Sequence, residues 1–164
     1  LEPDYLLGWY HLGCLYELAD GRKGVVQALG NALRSVNDGP PLISLDGDDR
    51  SGNNAAGENL SIDLSRLGEI RRILVFAFIY EGTPNWAGAN GVVTLYPPSG
   101  GPIEVHLDEA DPQARMCAIA MLENTATIPT ADQRSPRLSP GPGVRRCQRR
   151  QSAATHSAKV SSIT

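Results

Sequence analysis

Fifteen residues concentrate most of what could do chemistry in this chain: Asp46-Gly-Asp-Asp-Arg-Ser-Gly-Asn-Asn-Ala-Ala-Gly-Glu-Asn-Leu60. Four carboxylates (Asp46, Asp48, Asp49, Glu58) and three amides (Asn53, Asn54, Asn59) are interspersed with three glycines. One reading is a solvated loop, in which Gly, Asp and Asn supply turn conformations and water supplies the partners. The other is a hard-cation site, because Ca²⁺ takes six to eight oxygens from carboxylates, amides and carbonyls on a backbone able to wrap it. Carboxylates this close repel one another, and a cation removes the repulsion. An EF-hand is excluded: counted from Asp46, the fifth position is Arg50 and the sixth Ser51, where that loop needs an oxygen ligand and a glycine.

Other constellations carry less. His106 alternates with apolar neighbours on a strand and is expected to face solvent or a strand partner. His156 lies in a polar tail, and His11 stands beside Tyr10 with no acidic residue adjacent in sequence. No G-x-S-x-G, P-loop, G-x-G-x-x-G or H-E-x-x-H motif occurs. The carboxylates neighbour amides and not a His, Lys or Ser to be activated, so nothing supports nucleophilic catalysis. The enzymatic alternative is a metal-assisted hydrolase using the loop carboxylates on a sugar or phosphate ester. Trp86 beside Asn85 has two readings, stacking on a sugar ring or filling the space between two sheets.

The loop must be mounted on something, and its flanks supply it. Leu42-Ile-Ser-Leu45 is a short apolar strand leading in, and Leu60-Ser-Ile-Asp-Leu64 leaves with period-two alternation. Upstream, residues 12–18 read as a strand closed by the turn at Ala19-Asp-Gly-Arg22, with residues 24–29 pairing back. Residues 65–71 read as a turn or one short helical turn. Ile73-Leu-Val-Phe-Ala-Phe-Ile-Tyr80 is apolar throughout, as a central strand buried on both faces is. Residues 91–96, 103–107 and 116–122 complete a series of short strands between Gly/Pro turns. With no convincing helix between strands, this spacing predicts a β-sandwich and not βαβ units.

Charge divides the 164 residues. Residues 1–124 hold 8 Lys/Arg against 17 Asp/Glu, a net of −9; residues 125–164 hold 7 against 1, a net of +6. The acidic part argues against a nucleic-acid partner and agrees with cation binding. Residues 129–164 are rich in Pro, Ser and Arg, too poor in apolar side chains to offset ordering, and are expected to be disordered. Of three cysteines, Cys14 and Cys117 lie in apolar runs and read as free core thiols; Cys147 lies in the tail, and a reduced compartment follows. No run of eighteen apolar residues and no secretory signal is present.

Gly13-Cys-Leu-Tyr-Glu-Leu18, Leu45-Asp-Gly-Asp-Asp-Arg-Ser-Gly52, Gly57-Glu-Asn-Leu60, Leu74-Val-Phe-Ala-Phe-Ile-Tyr-Glu81 and Asn85-Trp86 together resemble the tellurium-resistance (TerD-like) stress-protein family. The resemblance covers residues 12–124. It implies an all-β, two-sheet sandwich with long acidic loops that binds Ca²⁺ and acts by binding or scaffolding, not catalysis. It also implies a bacterial, cytoplasmic stress role peripheral to the inner membrane, with stress-response or membrane-associated proteins as partners. Asp48, Asp49 and Glu58 are the ligands it implies first, then Asn31 and Glu81; Asp46, Asn53 and Asn54 complete the oxygen set. Where the family carries Asp-x-Asp before its first matching strand, this chain has Trp9-Tyr-His11, and past Asn124 the polar tail replaces further strands. The expected domains are therefore an extension (1–11), the sandwich (12–124), short of elements at both edges, and a tail (125–164). Open strand edges favour self-association.

Overall fold

The computed structural model describes residues 10–46, 58–80, 82, 84–125, 144–146 and 159–163. Two five-stranded sheets face each other. Sheet A has the order β2-β1-β5-β8-β9, from β1 (Tyr10–Leu18), β2 (Lys23–Gln27), β5 (Ile70–Ile79), β8 (Met116–Glu123) and β9 (Val144–Arg146). Sheet B has the order β3-β4-β10-β6-β7, from β3 (Ile43–Leu45), β4 (Asn59–Ile62), β10 (Lys159–Ile163), β6 (Val92–Tyr96) and β7 (Ile103–His106). All pairings are antiparallel except β8 with β9. The all-β, two-sheet expectation holds, and the eight strands read between residues 12 and 122 fall within one to three residues of where they form.

Alternation decides what each strand buries. From β1, Leu12, Cys14, Tyr16 and Leu18 point inward; from β5, Ile73, Val75, Ala77 and Ile79 do so. They meet Ile43, Leu45, Leu60, Val93, Leu95 and Val105 of sheet B. The β5 run is central and covered on both faces, since Phe76 and Phe78 on its outer side are also buried. A bulge in β8 between the Val75–Ala120 and Phe76–Ala118 pairs leaves Ile119 as an extra inward residue. Gly24 is required by space: a Cβ there would fall on the Tyr16 ring and hydroxyl, and that hydroxyl accepts the Val36 N–H at 2.9 Å.

Two expectations are corrected, and the open reading of Trp86 is decided. The tail is not uniformly without structure: β9 and β10 are two short pieces of it, and β10 lies between β4 and β6. Backbone hydrogen bonding to strand edges orders a segment that has little to bury. Cys117 is buried as expected but disulfide-bonded, so it is not a free core thiol. Cys14 is free and fully buried, and burial pushes its thiol up to about 12. Trp86 opens a one-turn helix, α1 (Trp86–Ala89), and is 1% exposed, which removes it from any sugar-stacking surface.

Candidate functional site

The register gathers one pole of the sandwich. Gly13 pairs with Gln27, so the end of β2 and the turn after it reach the start of β1. Tyr10 pairs with Ile79, which brings the end of β5 there too. β3 and β4 are the arms of a hairpin with Leu45 opposite Leu60, closed by the Asp46 N–H donating to the Asn59 carbonyl at 3.0 Å. Between those arms run residues 47–57. The segment containing α1 (84–91) and the segment before β8 (107–115) lie at the same pole.

Glu58 joins the two sheets there. It precedes β4 of sheet B, yet its carboxylate accepts from the Leu12 N–H of β1 at 2.6 Å and is 2.8 Å from Nδ1 of His11. Both residues are buried, Glu58 4% and His11 6% exposed. His11 has no acidic residue adjacent in sequence, and its carboxylate partner comes from 47 residues away. His11 also packs against the rings of Phe78 and Tyr80, with centroids 5.5 and 6.4 Å away.

Asp46, at the opposite end of the loop, is exposed and accepts from the Asn59 backbone N–H at 2.8 Å and from its side-chain amide at 2.6 Å. Asp46 thus fixes the neck of the loop across the hairpin. Asn31 sits in the turn after β2 with φ 57°, a left-handed conformation that asparagine tolerates well. The Arg34–Ser44 bridge, and the Leu45 N–H donating to the Leu33 carbonyl, run this turn toward the Asp46 end of the loop. Asn31, Asp46 and Glu58 are therefore brought to one pole. Asp48, Asp49, Asn53, Asn54 and Glu81 lie outside the described residues.

The pole also holds acids outside the 46–60 stretch. Asp108, Glu109 and Asp111 lie in the connection from β7 to β8 that returns to it. Glu109 accepts the Asp111 N–H and Asp111 accepts the Gln113 N–H, both at 2.9 Å. Three acids in four residues beside a strand end was the signal available. On the other side of the pole, Tyr10 donates to the Asn85 carbonyl at 3.0 Å and packs edge-on to Trp86, whose Nε1–H reaches the Ala114 carbonyl at 2.6 Å. These contacts tie the start of β1 to α1 and to the segment before β8.

The donor set fits a hard cation. Asp46 and Glu58 carry carboxylate oxygens and Asn31 an amide oxygen, the ligand types that a hard cation takes. Among the described residues no group of three or more His, Cys, Asp or Glu is close enough to hold a metal by itself. Among them, too, no helix is long and apolar enough to cross a membrane.

Comparison with known proteins places these features. Over 113 residues, 69% of the chain, it is 49% identical to the tellurium resistance protein TerA of Alcaligenes sp.. The chain spans a third of that relative's length (33%). No family model and no solved structure matches the chain.

Proposed function

Because the chain is related to the tellurium-resistance proteins over those 113 residues, we propose that it is a calcium-binding stress-response module acting by binding and scaffolding. The single observation that carries the calcium reading is the gathering of Asn31, Asp46 and Glu58 at the pole from which residues 47–57 extend. Calcium would draw the Asp48/Asp49 end of the loop toward Glu58, with Asp46, Asn53, Asn54, Asn31 and Glu81 as further oxygens. Bound ion would add stability by mass action, about 2.7 kcal/mol at a hundredfold excess over Kd. A hydrolase would need an accessible base. The loop carboxylates Asp48 and Asp49, on which the hydrolase alternative rests, lie outside the described residues, and the one His–carboxylate pair among the described residues, His11–Glu58, is buried. Tolerance of tellurite, and partners among stress-response or membrane-associated proteins, belong to this proposal through the relative.

Isothermal titration with Ca²⁺ of the full chain and three variants tests it. Asp48→Ala and Asp49→Ala should each weaken binding at least tenfold, about 1.4 kcal/mol. Asp38→Ala should change little, since Asp38 is exposed at the opposite pole, where it meets Arg22 at 3.1 Å. Equal calcium binding by all four proteins, or none by the parent, would leave the loop a solvated turn.

A further inference from the structure

We propose that two copies of this chain associate through the outer face of sheet A. Beyond the buried Phe76 and Phe78, the rest of this face is built in rows across the four strands β2, β1, β5 and β8. One row reads Val25, Leu15, Leu74, Met121, each residue directly opposite the next. Leu15 is 48% and Met121 41% exposed, while Val25 and Leu74 are half-buried. A row of four apolar side chains on an exposed sheet face is the kind of patch that marks an interaction surface.

The neighbouring row says what covers it. From β2 to β8 it reads Lys23, Glu17, Arg72, Glu123, again directly opposite one another. The signs alternate as plus, minus, plus, minus. A two-fold axis parallel to the strands, passing between β1 and β5, lays one sheet face on the other with the strand order reversed. Lys23 then meets Glu123 of the second copy, while Glu17 and Arg72, already paired within each chain at 2.6 Å, come over Arg72 and Glu17 of the second copy, so every charge faces its opposite. In the apolar row Leu15 meets Leu74 and Val25 meets Met121. A surface that pairs with itself must be complementary under such an axis, and a row of alternating sign and even length is. β9 does not interrupt the match, because it pairs with β8 only at Met116, Cys117 and Ala118. Aligned face-to-face packing is also how two twisted sheets ordinarily meet.

Sedimentation velocity of the full chain from about 1 µM to about 1 mM, with no metal added, tests this independently of the acidic loop. The expected result is a monomer–dimer equilibrium whose Kd rises at least tenfold in Leu15→Asp. Lys23→Glu alone should weaken the dimer, as should Glu123→Lys alone, and the double variant should recover toward the parent. Within one chain these two residues stand three strand spacings apart, about 14 Å, too far for direct pairing. Recovery must therefore come from the second copy. Melting curves confirm that each variant folds, and both charged positions and Leu15 are exposed. A monomer throughout overturns the proposal. So does a dimer indifferent to Leu15→Asp, or a double variant no tighter than the single ones.

Discussion

Glu58→Ala separates holding the two sheets together from binding a metal. The Glu58 carboxylate accepts the Leu12 N–H at 2.6 Å and meets His11 Nδ1 at 2.8 Å, in a site where the two side chains are 5% and 6% exposed. Alanine removes both acceptors and leaves two buried polar groups to find others, at about 1–3 kcal/mol each. Allowing for partial relaxation, about 3 kcal/mol is a fair central value. For a chain of this size each kcal/mol shifts the melting temperature by about 2–4 °C, so a fall of about 6–12 °C is expected. Glu58→Gln should cost far less, about 1 kcal/mol. Its amide oxygen can still accept from Leu12, and its NH₂ can donate to His11 if the imidazole changes tautomer. Calorimetry in a calcium chelator reads this structural part alone. Glu58→Ala melting within about 1 °C of the parent would refute the reasoning.

Three further outcomes are expected. Burial would by itself raise the Glu17 pKa, but the Arg72 hydrogen bond at 2.6 Å and the charges of Arg72, Lys23 and Arg71 hold it below the usual carboxylate range. Glu17 therefore contributes stability that is fully present above the unfolded pKa of about 4.3 and is lost as pH falls through the folded value. Melting curves from neutral to acid pH should show a shallower acid decline in Glu17→Gln. Trp86→Ala, which empties a buried site and orphans the Ala114 carbonyl, should cost about 3–5 kcal/mol in urea denaturation. Cys14, fully buried with its thiol pushed up to about 12, should resist alkylation at pH 8 until the protein unfolds, as peptide mass spectrometry will show.

The strands of this fold were legible because each declares itself within a few residues. Ile73–Ile79 is apolar throughout, as a strand covered on both faces is, and Leu60-Ser-Ile alternates. The acidic loop was legible as a composition, and its placement between β3 and β4 followed from its flanks. What joins distant positions was not. The His11–Glu58 contact depends on sheet B delivering Glu58 to the first residues of β1, and no local pattern carries that information. The acids of residues 108–111 shared this difficulty, since only the β7–β8 connection shows which pole they occupy. β10 was missed for another reason: Lys159-Val-Ser-Ser-Ile163 is weak by propensity and is fixed by the two strand edges it fills.

The bulge in β8 has a consequence for how the gene can change length. Removing one residue from a strand ordinarily inverts every side chain beyond the deletion, exchanging core for solvent. At Ile119 the opposite holds. With that residue gone, Ala118 opposite Phe76 and Ala120 opposite Val75 would become consecutive, one outward and one inward, in unbroken alternation. Met121 and Glu123 would keep facing out, and Leu122 would stay against the core. Within β8, single-codon loss is therefore tolerable at this bulge and disruptive in the regular ladder on either side, and homologues one residue shorter in this strand should carry their gap here.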